Sequence, residues 1–168
     1  QTWGGDASSL LRNAEGIRAL GDRVVVKVPA TRDGFAAASA LVRDGATVLV
    51  TAVYSVAQAL VCASIGAQYI APYLGRMRDA GIDGDAVIAR MQGMCAGSDS
   101  NVLAASLRSP DDITGLRLAG VPYFTAAPDV IEQMLFHGVS DSSAAEFDAA
   151  MVRLGACLLY TSDAADER

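Results

Sequence analysis

The sequence predicts an α/β fold built from repeated βα units, and three observations carry that expectation. Short runs of β-branched and other apolar residues recur along the chain. Ala- and Leu-rich stretches with helical spacing separate them, and the runs themselves are apolar throughout rather than alternating. Strands covered on both faces of a parallel sheet read in this way. With 168 residues, 52% of them hydrophobic, the chain has the material for one well-buried core.

Taken in order, the first strand is expected over residues 24–28 and closes at Pro29. A helix over 34–43 follows, with Phe35, Ala38, Leu41 and Val42 on one face. The second strand spans 48–53 and leads into a helix over 55–65, and the third strand spans 68–71. Gly45, Gly66 and Gly81 stand where a left-handed residue closes a last helical turn. A helix over 85–94 precedes the fourth strand, 102–105. Pro110 with Asp111 and Asp112 opens another helix before a fifth strand at 118–121. Pro128-Asp129 starts a helix over the apolar stretch 130–136, and His137 reads as a residue at its C-terminal end. This spacing fits a doubly wound sheet, complete at five strands, or a (β/α)8 barrel, which needs eight. Residues 29–34 contain neither GxGxxG nor a P-loop, which counts against a nucleotide-binding sheet.

Composition removes several function classes. Nineteen acidic against thirteen basic residues, a formal net charge of −6, is not the electrostatic footprint of a nucleic-acid binder. No apolar run reaches the roughly 18 residues of a membrane-spanning helix. Cys62 and Cys95 lack CxxC spacing and read as small buried hydrophobes in a reducing compartment, not as zinc ligands. The opening residues carry no secretion signal, so the expected location is cytoplasmic, with no nucleic-acid or membrane partner. Residues 157–168, starting Cys157-Leu158-Leu159-Tyr160, continue no helical period and resemble the in-frame translation of an adapter used in preparing sequencing libraries. They are expected to be a non-native tail, with residues 1–156 as the folded domain.

Lys27 stands out as the only lysine among twelve arginines, near the C-terminal end of an apolar strand. An arginine keeps its proton, whereas a lysine amine in an apolar wall can lose it and attack a carbonyl. The plainer reading, a buried stem with its head snorkelling to solvent or to an acid, stays open at this point. The following strands also end on polar residues: Thr51, then Tyr73 and Arg76, then Ser106. In a parallel α/β fold the carboxyl ends of the strands surround the ligand site, so these side chains are expected to converge on Lys27. Taken singly, each reads more readily as a helix cap, a packed aromatic or a solvated charge.

Together these residues resemble a known family. Lys27-Val28-Pro29-Ala30-Thr31 with Gly34, Thr51-Ala52-Val53-Tyr54, Gln58-Ala59, the block from Gly66 to Arg76 (GAQYIAPYLGR), and Val102-Leu103-Ala104-Ala105-Ser106 are similar to the transaldolase family. The nearest likeness is to its short fructose-6-phosphate aldolase branch, over residues 1 to about 156. The resemblance implies a (β/α)8 TIM barrel, incomplete here, with the first two βα units and most of the third strand upstream of Gln1. It implies a Schiff base on Lys27 with the ketone donor, and Tyr73 as acid/base partner through a water that Gln1 and Thr51 help to hold. Arg76 and Ser106 would take the phosphate of a small-molecule sugar phosphate. No metal or other cofactor is implied, because the imine is the electron sink. Tyr73 stands where the transferase branch carries phenylalanine, Ala71 where it tends to carry serine, and Gln1 where it carries a carboxylate. All three lean towards an aldolase that releases dihydroxyacetone, with transaldolase transfer in the pentose phosphate pathway as the alternative. A non-catalytic sugar-phosphate-binding domain is the alternative of another class. The resemblance also implies a full-length homo-oligomer in which a C-terminal helix, 144–154, packs on a neighbour. Without the upstream strands the chain is expected to expose sheet edges, to aggregate and to be inactive, while the full gene product is active.

Overall fold

The computed structural model describes residues 1–155; the expected non-native tail, 157–168 with Cys157, lies outside them. Contacts divide the chain into two units, Gln1–Val130 and Ile131–Arg168.

The first unit opens with α1 (Ala7–Arg18), started by the Asp6 carboxylate, which accepts from the Ser9 amide. It continues as β1 (Val26–Pro29), α2 (Arg32–Arg43), β2 (Val48–Val53), α3 (Val56–Ile65) and β3 (Tyr69–Pro72). Then come α4 (Leu74–Asp79), α5 (Gly84–Met94), β4 (Asn101–Leu107), α6 (Pro110–Leu118), β5 (Tyr123–Ala126) and the start of α7 (Pro128–Leu135). The second unit holds the end of α7 and, within the described residues, α8 (Gly138–Arg153).

Helix starts follow side-chain chemistry. Thr31, Ser55, Asp83 and Ser109 each accept from a backbone N–H in the first turn of the helix they cap, which satisfies a donor the helix itself cannot use. Gly45, Gly66 and Gly81 follow α2, α3 and α4 in left-handed backbone, as expected.

All five strands are parallel and lie in sequential order, β1-β2-β3-β4-β5. That order settles what composition could not. A doubly wound sheet reverses its winding at a switch point, whereas uninterrupted order with right-handed crossovers places every helix on one face and is the winding of a (β/α)8 barrel. The register agrees. Val26, Val28, Val48, Val50, Ile70, Val102 and Ala104 are fully buried on one face. Leu10, Ala38, Leu41, Ala59, Ile88, Met91 and Leu116 of the helices join them in a single core cluster. Lys27, Leu49, Tyr69 and Leu103 share the opposite face and are only half-buried, so these strands are not equally covered on both sides as their apolar sequence suggested.

Two expectations are corrected. The fifth strand is not at 118–121: Leu118 ends α6 and is 90% exposed, and β5 begins at Tyr123. The reason is the strength of the helix start at Ser109-Pro110, a full capping box with Asp112, which carries the helix on to the turn at Gly120. His137 is not a C-terminal residue of α7 but the N-cap of α8, its Nδ1 accepting from the Val139 amide at 3.3 Å.

Candidate active site

The register brings the expected residues to one end of the sheet. Lys27 pairs with Leu49 and Pro29 with Thr51, so Thr51 lies on the same face as Lys27 and one pleat further towards the strand ends. Tyr73, just past β3, bridges to Ala105 of β4. The Thr51 hydroxyl donates to the Tyr73 phenolic oxygen at 2.8 Å. The Tyr73 ring has Lys27 Nζ 5.8 Å and Arg76 Cζ 5.1 Å from its centroid, and Tyr54 meets it edge-on at 6.2 Å. Burial pushes the Tyr73 hydroxyl up. The Thr51 bond, the nearby Lys27 amine and the Arg76 charge outweigh it and hold Tyr73 below the ordinary tyrosine value. Lys27, Thr51, Tyr73 and Arg76 therefore form one electrostatic cluster.

Beside it, Tyr73, Arg76, Ser106, Thr125 and Ala127 line an open cleft of about 420 Å³. Its wall is built on strained backbone. Ser106 and, across the sheet, Ala52 are left-handed at φ 59° and 58°, each where the strand register shifts. A non-glycine residue held so at a bulge is costly locally and re-aims the side chains around it, which is a frequent device beside active sites. A larger cavity of about 550 Å³, lined by Glu15, Arg18, Asp22 and Thr47 among others, lies by the N-terminal ends of β1 and β2. Parallel α/β folds place their chemistry at the carboxyl ends, so the smaller cleft beside Tyr73 is the functional candidate.

Gln1 is exposed, and its side-chain amide donates to the Thr2 carbonyl at 3.0 Å; no hydrogen bond joins it to Thr51 or Tyr73 among the described residues. Thr2 and Gln58, to which no site role was assigned above, also hold the backbone at this end of the sheet. Thr2, 2% exposed, donates from both its amide, at 2.9 Å, and its hydroxyl, at 3.1 Å, to the Lys27 carbonyl, which fixes the backbone under the amine. Gln58 accepts from the Tyr54 amide at 2.8 Å and donates to the Ala30 carbonyl at 3.4 Å, tying the turn after β1 to the turn after β2. Ser55 and Gln58 have capping-box spacing, a signal that marks Gln58 as a side chain turned back towards the helix start. Nothing local distinguishes Thr2, whose partner lies 25 residues away.

A family model described as Transaldolase/Fructose-6-phosphate aldolase matches residues 2–166. Curated relatives include a probable transaldolase of Hyphomonas neptunium, 35% identical over 89% of this chain and 70% of its own length. Another is a probable transaldolase of Maridesulfovibrio salexigens, 35% identical over 90% of this chain and 72% of its own length. Among solved structures, mandelate oxidase with (S)-2-phenylpropionate superposes with a TM-score of 0.59 at 14% identity. The match covers 74% of this chain and 46% of that one, a likeness of fold alone.

Proposed function

The chain belongs to the transaldolase/fructose-6-phosphate aldolase family, whose fold is the (β/α)8 barrel, and on that premise we propose that it is a Schiff-base aldolase acting on a sugar phosphate. The observation that supports this most is the cluster itself. A single lysine stands beside a hydroxyl pair, Thr51 and Tyr73, and Tyr73 and Arg76 both line the adjoining cleft.

In this reading the Lys27 amine adds to the ketone of a donor such as fructose 6-phosphate, and loss of water gives the imine. The bond between the third and fourth carbons breaks, its electrons passing into the imine to form an enamine while the fourth-carbon hydroxyl gives up its proton. Glyceraldehyde 3-phosphate leaves, the enamine regains a proton, and water returns to the imine carbon to release dihydroxyacetone and free Lys27. Tyr73, its ring beside Lys27 Nζ and its hydroxyl bonded to that of Thr51, is placed to hold or pass these protons, directly or through a water. Gln1 and Thr51 are proposed to help hold that water. Arg76 suits the phosphate because its planar fork meets two oxygens at once, and Ser106 would donate a further hydrogen bond.

The test uses the protein expressed from its complete reading frame. Borohydride with dihydroxyacetone is expected to leave one reduced adduct, mapped to Lys27, and none in Lys27→Met. Absence of that adduct sinks the Schiff base in favour of a binding domain. The names of the curated relatives favour a second reading, transfer of the dihydroxyacetone unit to an acceptor aldehyde. Free dihydroxyacetone released from fructose 6-phosphate without acceptor supports the aldolase; transfer without release supports the transaldolase.

A further inference from the structure

The two residues proposed for phosphate stand on different elements: Arg76 in the first turn of α4, and Ser106 near the end of β4. A charged seam closes the gap between those elements. Arg78 of α4 donates through Nη1 to Asp112 Oδ1 at 2.6 Å, and the rest of its guanidinium forks onto Asp85 of α5 at 2.9 to 3.2 Å. The other oxygen of Asp112 accepts from the backbone N–H groups of Arg108, at 2.6 Å, and Ser109, at 3.2 Å. Arg108 in turn forks back onto Asp79 of α4, at 2.6 and 2.8 Å.

Asp112 is 4% exposed, the least exposed charged side chain of this group. Burial pushes its carboxyl up, but the Arg108 amide, the Arg78 guanidinium and the Ser109 side chain outweigh that and hold it below the ordinary carboxylate value. The two elements also touch directly. A Cβ added at Gly75 would lie 2.7 Å from the Ser106 carbonyl oxygen and 2.6 Å from Arg108 Nε. Left-handed Ser106, which its own backbone does not favour, is thus fixed two residues before the Asp112-bound turn.

We propose that Asp112, acting through Arg78 and the turn at Arg108, is a positioning residue that sets the separation of Arg76 and Ser106, and with it the affinity for the substrate's phosphate. The proposal rests on the assignment of Arg76 and Ser106 to phosphate. Both oxygens of Asp112 are engaged by the protein, so it is a positioning residue and not a phosphate ligand in this proposal. An ion pair with one half-exposed partner adds little stability by itself, so geometry is where its effect should be read.

Asp112→Asn keeps the size and an oxygen for the turn but removes the charge facing Arg78. In the enzyme from the complete reading frame, KM for fructose 6-phosphate is expected to rise about tenfold, the weight of one charge-assisted hydrogen bond. Inhibition by inorganic phosphate should weaken by the same factor, while kcat, and KM for unphosphorylated fructose, stay close to wild type. Arg78→Met breaks the same bond from a half-exposed site that tolerates substitution, and should reproduce the split; the double variant should be no worse than either single one. An equal loss on both sugars, or a loss confined to kcat or to melting temperature, overturns the proposal. Wild-type enzyme indifferent to the phosphate overturns it together with the Arg76–Ser106 assignment, and borohydride capture at Lys27 reports separately on the imine.

Discussion

A phenol flanked by two cations and bonded to a neighbouring hydroxyl gives up its proton more readily than one in water. For Tyr73, burial works the other way, but Thr51, Lys27 and Arg76 together prevail and hold it below 10.0. If Tyr73 supplies the proton as an acid, activity is lost as pH rises through its lowered value, so the alkaline limb of kcat/KM should fall below pH 10.0. Arg76→Met removes one cation and should move that limb upward; Tyr73→Phe should abolish it and lower kcat by roughly 10²- to 10⁴-fold. A limb that ignores both substitutions belongs to another group. At this scale the sequence was legible where a residue departed from its surroundings. Lys27 is the single lysine, and Thr51, Tyr73 and Ser106 are polar where apolar strands end. Asp112 was legible only as a helix start, since its bond to Arg78 spans 34 residues, and Thr2 gave no local sign at all.

Elements were legible in proportion to the strength of their local signals. The helix beginning at Ser55 carries a polar cap and ends at a glycine, and its structure matches the expectation closely. Helix α4 has six residues and α1 shows only Leu10 and Ala14 as buried positions, too little periodicity to announce either. The bulges at Ala52 and Ser106 were not legible either, because neither residue prefers the left-handed region and only the surrounding sheet holds it there. The close seat of α2 on β1 has a sharper consequence. Gly34 lies so near the Pro29 carbonyl that an added Cβ would sit 1.8 Å from the oxygen. Gly34→Ala should therefore force the start of α2 away from the end of β1, costing about 2–3 kcal/mol and lowering the denaturation midpoint at unchanged m-value. Because Lys27 precedes Pro29 by two residues, the same variant should lose borohydride trapping faster than it loses helix content.

At the scale of the whole molecule, composition gave a parallel α/β protein, while the choice between two windings lay in strand order, a property of long-range pairing that no window of sequence contains. The described residues supply five parallel strands in the order a barrel requires, and within them stability is uneven. In Gln1–Val130, β2 and β3 are each paired on both sides and bury Val48, Val50 and Ile70 completely. In the second unit, α8 runs for 16 residues and buries none of them. A helix of that length without a buried face is marginal in water, because nothing offsets the cost of nucleating it. Native-state hydrogen exchange of the chain should therefore show amides of β2 and β3 opening only with global unfolding, and amides of α8 exchanging orders of magnitude faster. Protection in α8 that appears only as protein concentration rises would identify a second copy as the surface that covers it. Protection equal to that of β2 at every concentration would show that α8 draws stability from packing within one chain, and would sink the prediction.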